Sequence, residues 1–506
     1  MKKNLVIFLL LFIFLFQAIN TLNYLKEDNS NPDWDRSWHA FKGLNYYKIF
    51  VKGEGSLTES EQIYPIIGFV NSYYPPLFHL SQIPFLIIFG QTHDSSVYVN
   101  IVYLAIMVTS MFFIGKKLKN DDLGLFLALL SSLIPFYNLL MRTSLMDFSL
   151  NSMVSLTFCL WLYSEDFENR IFSFLFGLSL GLGMLTKWTF FIFVSLLCAY
   201  SIIKFFMNNL IFFSKFKKLG KLINLTGSLL IAFIVTYSWY SIAKIKGLIP
   251  QLRYFSKLGW NTEFATFSLS NILSYFYSFT LHFSFLYLLL FFIGIFILLR
   301  KRNTTYLVIF SQFLFSFIFF LNIANRDPRL ISPIYISMII ISGYWIFDLN
   351  SKKLRNILLI SLIFIIVISN LAYNSEKINY KFELGKITVV NYRGFYAKEN
   401  DYNLSKIYDI IKQDTQEPYS VCIISESDSF NDINIPYYAS LNNEPITKML
   451  GNGCNPLSYD YTIKGIVANS WRKNLFQSSL KVLNESQDEF ILIGSYKKIE
   501  VYKQLR

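Results

Sequence analysis

Charged side chains are scarce in this sequence. They make up 16% of its 506 residues, whereas 53% are hydrophobic and 18% are aromatic. A soluble domain carries about a quarter charged residues. The composition therefore excludes an ordinary soluble protein and predicts a polytopic α-helical membrane protein.

Histidine and cysteine are rare as well, with four residues of each. Their spacing matches no zinc site, and the sequence has neither a glycine-rich nucleotide loop nor a Ser-His-Asp set. Cys159 and Cys198 lie inside apolar runs, which favours a packing role. Cys422 and Cys454 lie in a polar C-terminal region and could form a disulfide if that region is outside the cytoplasm. Their separation in sequence does not decide this.

The basic residues are in excess, with a net charge of +13. This charge would suit a nucleic-acid-binding protein, but the lysines and arginines occur in short clusters between apolar runs. Such clusters are typical of the loops that orient a membrane protein. Since there is no continuous basic patch, we expect no nucleic-acid partner.

Apolar runs are abundant. Eleven runs of about 16 to 20 residues are long enough to cross a hydrocarbon core of about 30 Å. They lie near residues 4–22, 96–115, 122–141, 145–163, 171–186, 188–207, 222–242, 281–299, 304–323, 329–348 and 355–373. The first run has no convincing cleavage site after it, so we interpret it as an uncleaved span that begins in the cytoplasm.

A further apolar run, Leu77–Phe89, is short and contains Pro84. If it does not cross, the loops after the second, fourth, sixth, eighth and tenth runs lie on the same side as Lys2 and Lys3. Four of these five loops are basic, as the positive-inside rule expects. If it crosses, those junctions move outside. We therefore expect about eleven spans, with Leu77–Phe89 as a juxtamembrane element of the first outer loop.

This topology predicts two domains. Residues 1–373 would form the transmembrane domain, with outer loops at 23–95 and 243–280. Residues 374–506 are polar and contain short β-like runs between Asn, Asp, Gly and Pro turns. They predict a small extracytoplasmic α/β domain, which we interpret as a covering module.

Two carboxylates, Asp33 and Asp35, begin the first outer loop. A carboxylate above the bilayer that faces a partly dry cavity can act as a general base. The simpler interpretation is a helix N-cap, because Asp is a favoured capping residue.

Further ionisable residues gather on the same predicted face. They are His79, Arg142, Asp147, Lys187, Arg326, Asp327 and Arg329. Ionisable residues near membrane depth are costly and usually functional, and arginine forks match phosphate oxygens. Each also has a simpler role: an ion pair between Arg142 and Asp147 at a helix end, a snorkelling lysine, a capping arginine or a structural histidine. Together they favour a substrate linked to a polyprenyl phosphate, whose tail could lie between helices.

Five short motifs follow one another along the chain. They lie at Pro32–Ala40 (acidic first loop), Tyr74–His79 (Tyr-Pro-Pro-Leu), Arg142–Asp147 (second Asp), Gly181–Lys187 (Gly-rich Thr-Lys) and Arg329–Pro333 (late Arg). In this order they resemble the motifs of the C-type-fold membrane glycosyltransferases, specifically the protein O-mannosyltransferase-like and aminoarabinose-transferase-like group. The resemblance covers roughly residues 1–350.

The resemblance implies a C-type glycosyltransferase fold and an inverting sugar transfer from a polyprenyl phosphate to a lipid, glycan or protein hydroxyl. Alignment on Ala40 assigns the catalytic carboxylate to Asp35 rather than Asp33. Arg36 stands where the family has Glu, which leaves Asp33 open as a second carboxylate. His79 stands where protein mannosyltransferases commonly have Lys.

We therefore expect a glycosyltransferase of the plasma membrane with an outward-facing site. The predicted catalytic residues are Asp35, Asp147 and Asp33, and the predicted donor-phosphate ligands are Lys187, Arg326, Arg329, His79 and Arg142. No cofactor or metal site is required by the sequence, although a divalent metal is compatible with it. The alternatives are a transporter or flippase of a lipid-linked sugar, and an interaction scaffold built around the C-terminal domain.

Overall fold

The computed structural model describes residues 2–54, 74–210, 215–246, 269–323, 327–373, 380–384, 387–392, 404–427, 430–451, 453–467 and 473–505. Most of the second predicted outer loop, Arg326 and part of the first outer loop lie outside these residues. The described residues before 374 are mostly helical and include no strand.

The helices of this part are α1 (Lys3–Glu27), α2 (Trp34–Tyr47), α3 (Leu77–Phe89), α4 (His93–Val97), α5 (Val99–Leu118), α6 (Asp121–Ser132), α7 (Pro135–Met141), α8 (Asp147–Ser164), α9 (Arg170–Thr186), α10 (Ser195–Leu210), α11 (Lys215–Lys246), α12 (Leu269–Phe279), α13 (Phe285–Lys301), α14 (Thr304–Leu321), α15 (Pro328–Ile331), α16 (Ile334–Tyr344) and α17 (Lys352–Tyr373). A 3₁₀ turn, Trp188–Phe193, joins α9 to α10.

Every one of the apolar runs expected to span contains helix. Within the described residues, four helical segments are long and apolar enough to cross a membrane, or up to five if the bent pair α6 and α7 is one span. The chain is therefore a multi-pass membrane protein, while the count of eleven crossings stays a prediction. The 63° bend between α6 and α7 falls just before Pro135, because a residue that precedes proline avoids helical geometry.

Glycines allow α9 to lie close to α11. A Cβ atom added at Gly177 would lie 2.2 Å from the carbonyl oxygen of Ser228, and one added at Gly181 would lie 2.7 Å from Val235. Larger residues at these positions would push the two helices apart. This packing fixes the end of α9, after which Lys187 follows.

An acidic turn joins α8 to α9. Glu165, Asp166 and Phe167 all have positive φ angles of 50°, 55° and 65°. The three acids of this segment pair with lysines from three other helices: Glu165 with Lys117, Asp166 with Lys204 at 2.6 Å, and Glu168 with Lys221 at 2.5 Å. The turn closes the end of the bundle opposite to Asp147, since α8 is roughly 27 Å long.

The first loop folds into short helices beside the bundle. Asp33 caps α2 by accepting a hydrogen bond from the backbone N–H of Arg36. Helix α2 packs on α3, and contact is so close that a Cβ atom at Gly43 would overlap Gln82. Helix α3 is roughly 20 Å long, too short to cross a hydrocarbon core of about 30 Å unless the bilayer thins locally.

The described residues after 373 form two sheets and three α-helices. These elements are β1 (Tyr380–Leu384), β2 (Ile387–Tyr392), α18 (Ser405–Asp414), β3 (Tyr419–Glu426), α19 (Asn434–Leu441), β4 (Ile446–Leu450), β5 (Tyr461–Val467), α20 (Lys473–Glu485), β6 (Phe490–Tyr496) and β7 (Ile499–Gln504). The larger sheet has the order β4-β3-β5-β7-β6. Strand β3 runs parallel to β4 and β5, while β7 is antiparallel to β5 and β6.

A disulfide joins Cys422 in β3 to Cys454, with Cα atoms 5.8 Å apart. Both residues are buried. The structure thus forms the bond that the sequence left open. Cys159 is buried and free, as its apolar surroundings predict, and Cys198 is half-buried and free. Whether residues 374–506 act as a separate extracytoplasmic domain stays a prediction.

Candidate active site

Asp35 and Arg329 meet at the edge of the bundle. Asp35 lies in the first turn of α2, and its carboxylate accepts a hydrogen bond of 2.8 Å from Nη2 of Arg329. Asp327 caps α15 and accepts a second hydrogen bond, 2.7 Å long, from Nε of Arg329. One guanidinium therefore connects two carboxylates whose positions in the chain are far apart.

Asp147 and Lys187 form a second ion pair. Asp147 begins α8 and Lys187 follows α9, and their charged atoms lie 2.7 Å apart. Their side chains are only 3% and 5% exposed. A buried pair of this kind needs good geometry, because both charges lose their hydration. Sequence reasoning had paired Asp147 with Arg142 as the structural alternative, whereas the structure pairs it with Lys187.

Tyr74 lies between the two ion pairs. The ammonium of Lys187 is 6.0 Å from the centre of the Tyr74 ring. Burial raises the pKa of the Tyr74 hydroxyl, and the carboxylates of Asp35 and Asp147 raise it further. The hydroxyl is therefore protonated at physiological pH. Arg329 also interacts electrostatically with Asp327, Asp147 and Asp35, so the four charged groups share one electrostatic environment.

Two histidines lie next to Tyr74: His39 contacts its ring, and His79 contacts His39. Nδ1 of His39 lies 3.0 Å from Nε2 of His79, and both rings are buried. The His39 ring contacts Tyr74 with ring centres 5.1 Å apart. Burial lowers the pKa of both imidazoles, and the cations of Lys187 and Arg329 lower that of His39 further. Both rings are therefore neutral at physiological pH, and His79 contacts His39, which in turn contacts Tyr74.

Of the remaining predicted residues, Asp33 makes the contacts expected of a helix N-cap. It caps α2 and lies 3.5 Å from Nε of Arg36. Arg142 lies over the ring of Tyr24, at 4.4 Å, and lines a neighbouring cavity of about 200 Å³. That cavity is also lined by Asp28, Arg36, His93, Asp94 and Tyr438. Arg326 lies outside the described residues.

His39 is the residue that sequence reasoning missed. It follows Asp35 by four residues on α2, so the two side chains lie on the same helix face. This spacing was the available signal. Tyr74 was visible within the Tyr-Pro-Pro-Leu motif, but nothing in the sequence distinguished its ring from the other aromatic side chains.

The carboxylates do not provide a ready metal site. Within the described parts of the chain, no three His, Cys, Asp or Glu side chains come together. Asp35 already faces Arg329, and Asp147 already faces Lys187. A divalent cation would have to displace these side-chain cations, so the residues present do not fit a resident metal in this arrangement.

Comparison by sequence gives one family match. Residues 74–240 match the family model of dolichyl-phosphate-mannose-protein mannosyltransferase. This range contains Tyr74, His79, Asp147 and Lys187. No protein of curated function matches the chain.

Comparison by structure gives matches over most of the chain. ArnT from Cupriavidus metallidurans bound to undecaprenyl phosphate has a TM-score of 0.61 at 11% identity, and the match covers 97% of both chains. The archaeal oligosaccharyltransferase AglB from Archaeoglobus fulgidus, in complex with an inhibitory peptide and a dolichol-phosphate, has a TM-score of 0.54 at 11% identity. That match covers 87% of this chain and 64% of AglB.

These comparisons confirm the predicted resemblance and the C-type glycosyltransferase fold. The predicted enzyme class, glycosyltransferase, is also that of the matched family. The count of spans, the domain bounds and the roles of individual residues stay predictions.

Proposed function

We propose that this chain is an inverting glycosyltransferase of the plasma membrane that moves a sugar from a polyprenyl phosphate to a hydroxyl group of a lipid, glycan or protein. The observation that carries the proposal is the meeting of two carboxylate–cation pairs, Asp35–Arg329 and Asp147–Lys187, beside Tyr74. Such a site offers both a base for an acceptor hydroxyl and cations for a phosphate.

Asp35 is the better placed of the two paired carboxylates to act as the base. Its side chain is 59% exposed, whereas that of Asp147 is 3% exposed. Asp35 would remove the proton of the acceptor hydroxyl, and the hydroxyl oxygen would attack the anomeric carbon from the side opposite to the phosphate. A new C–O bond forms, the bond from that carbon to the phosphate oxygen breaks, and the anomeric centre is inverted. A positioned base typically supplies about 10² to 10⁴-fold in rate.

Arg329 and Lys187 would stabilise the leaving lipid phosphate, which takes the electron pair of the broken bond. Both cations are held by carboxylates when no substrate is bound, so the donor phosphate would compete with Asp35 and Asp147 for them. Asp147 would then orient Lys187 as well as the acceptor. We retain Arg326, Arg142 and His79 as further candidates for the donor side, and Asp33 as the cap that sets the start of α2.

The disulfide supports an outward-facing site. Disulfides persist in oxidising compartments, and the region that contains Cys422–Cys454 contacts α2 through α19. Helix α2 and the C-terminal region therefore lie on the same side of the membrane. The distribution of basic junctions predicts the same side for both.

A transporter or flippase of a lipid-linked sugar is the second candidate. It predicts polar residues through the depth of the bundle. The described site residues instead lie at helix ends: Asp147 at the start of α8, Lys187 after α9 and Asp327 before α15. This placement favours transfer at one membrane surface.

The test uses purified full-length protein in proteoliposomes with radiolabelled monosaccharides carried on undecaprenyl phosphate. We expect labelled sugar to leave the donor, either to an added membrane extract as acceptor or to water. Movement of intact donor across the bilayer without cleavage would contradict the proposal and favour the flippase. Mass spectrometry of surface glycans and lipids, with and without the protein, would then identify the acceptor.

A further inference from the structure

One helix of the C-terminal region holds both ends of α2. The ammonium of Lys48, just after α2, donates a 2.5 Å hydrogen bond to the carbonyl oxygen of Ser440. The amide of Asn434 donates a 3.4 Å hydrogen bond to the carbonyl oxygen of Pro32, just before α2. These partners are 392 and 402 residues apart in the chain.

An apolar cluster fills the space between these two contacts. Ala40, Leu44 and Tyr47 of α2 are buried together with Leu86 of α3 and Tyr437 of α19. Tyr437 is 1% exposed. Burial of so large an aromatic side chain makes it the main apolar contribution of α19 to the contact.

Tyr437 also reaches a third element. Its hydroxyl lies 3.3 Å from Nδ1 of His93, at the start of α4. Helix α19 therefore contacts α2, α3 and α4, all of which lie between α1 and α5 in the chain.

The other side of α2 is fixed by the membrane bundle. The hydroxyl of Ser144 donates a 2.6 Å hydrogen bond to the carbonyl oxygen of Arg36, next to Asp35. Ser144 is three residues before Asp147 and Arg36 follows Asp35, so this bond joins the chain segments that carry these two carboxylates. The start of α2 thus lies between a bundle contact at Ser144 and a C-terminal contact at Asn434.

We propose that α19 is a positioning element of the active site, and that the C-terminal region is part of the catalytic unit rather than a cover. The inference rests on the proposed function, because it assigns α19 the task of holding Asp35 against Arg329. The Asp35–Arg329 ion pair is exposed on the Asp35 side, and exposed ion pairs contribute little. The apolar contact with Tyr437 and the two end contacts therefore hold α2 in place together with its packing on α3 and the Ser144 bond.

The main experiment compares Tyr437→Ala with Tyr437→Phe in purified full-length protein. Tyr437→Ala removes the ring, and we expect backbone amides of residues 34–47 to exchange hydrogen for deuterium at least about 10-fold faster. We expect kcat for sugar transfer to fall by about 10- to 100-fold, since a displacement of about 1 Å can cost 10²-fold. Affinity for undecaprenyl phosphate should stay unchanged, because Arg329 and Lys187 remain.

Tyr437→Phe keeps the ring and should retain exchange and kcat within about threefold of the unmodified protein. Lys481→Ala on α20 is the matched control, since its only described ion pair is with Glu485 on the same helix. It should change neither measurement. If Tyr437→Ala does not fold, Lys48→Met tests the same contact, with Lys48→Arg as its conservative counterpart.

Two outcomes would overturn the positioning role: slower transfer with unchanged exchange over residues 34–47, or faster exchange with full transfer. Absence of both transfer and undecaprenyl phosphate binding in the unmodified protein would overturn the proposed function instead. In that case the exchange measurement would still decide whether α19 holds α2.

Discussion

The ammonium of Lys187 lies 2.7 Å from a carboxylate oxygen of Asp147, and water has almost no access to either side chain. Lys187 is therefore not a free cation that waits for a phosphate. A donor phosphate can recruit it only by sharing it with Asp147. The pair thus serves both the fold and the proposed chemistry, and the two effects can be separated by mutation.

Lys187→Met should destabilise the protein by about 3 to 5 kcal/mol, because Asp147 would remain as an uncompensated buried charge. Lys187→Met combined with Asp147→Leu should recover most of this loss, since both charges are then absent. The measurement is thermal unfolding in detergent. Lys481→Met is the control, because the exposed Lys481–Glu485 pair should contribute less than about 1 kcal/mol. Equal effects of Lys187→Met and Lys481→Met would contradict the buried pair.

Asp35→Asn should reduce sugar transfer by about 10² to 10⁴-fold, because the amide cannot accept the acceptor proton. Its effect on stability should stay below about 1 kcal/mol, as the side chain is mostly exposed. Asp33→Asn is the matched control: asparagine is as good an N-cap as aspartate, so activity should be nearly retained. Full activity of Asp35→Asn in the radiolabelled assay would refute the assignment of the base.

Stability should decrease as the pH falls below about 6.5. Burial lowers the pKa of His39 and His79 well below their ordinary value of 6.5, and Lys42 lowers that of His79 further. Below pH 6.5 the unfolded chain takes up protons that the folded protein does not, so the stability contribution is complete above 6.5 and lost toward lower pH. The loss is up to about 1.4 kcal/mol per pH unit for each histidine.

The measurement is the midpoint of thermal unfolding between pH 7.5 and 5.5. The double variant His39→Gln with His79→Gln should show a clearly smaller slope. An unchanged slope in that variant would show that other groups cause the pH dependence.

Removal of the disulfide by Cys422→Ser should destabilise the C-terminal region by about 3 to 4 kcal/mol, since the bond closes a loop with a sequence separation of 32 residues. Labelling with a maleimide polymer under denaturing conditions should modify two cysteines before reduction and four after it. Four labelled cysteines without reductant, in protein from its native membrane, would argue against an oxidising compartment for this region.

Local patterns in the sequence indicated much of the scaffold. The apolar runs contain helices, and Asp33 is a cap. These features depend on neighbours within a few residues. The choice of Asp35 over Asp33 as the base rests on the motif order and stays a prediction.

Contacts between distant parts of the chain could not be predicted in this way. Lys48 and Ser440 meet across 392 residues, and neither residue type specifies the other. The partners of Asp147 and Asp35 were missed for the same reason, since any of several basic residues on the outer face had the required charge. The His39–His79 contact depends on the packing of α2 against α3, which follows from Gly43 and Gln82 only when both helices are placed.

The lysines that pair with the acidic turn at residues 165–168 have one role during membrane insertion and another after the helices have assembled. While the chain is being inserted, the lysines near it act as orientation signals that are read before the bundle has assembled. Once α5, α10 and α11 have come together, Glu165, Asp166 and Glu168 neutralise Lys117, Lys204 and Lys221. The same lysines therefore first orient the helices during insertion and then stabilise the assembled bundle as counter-ions of the acidic turn. Replacement of Glu165, Asp166 and Glu168 by lysine should leave the helices correctly oriented in the membrane. It should instead weaken their packing against one another.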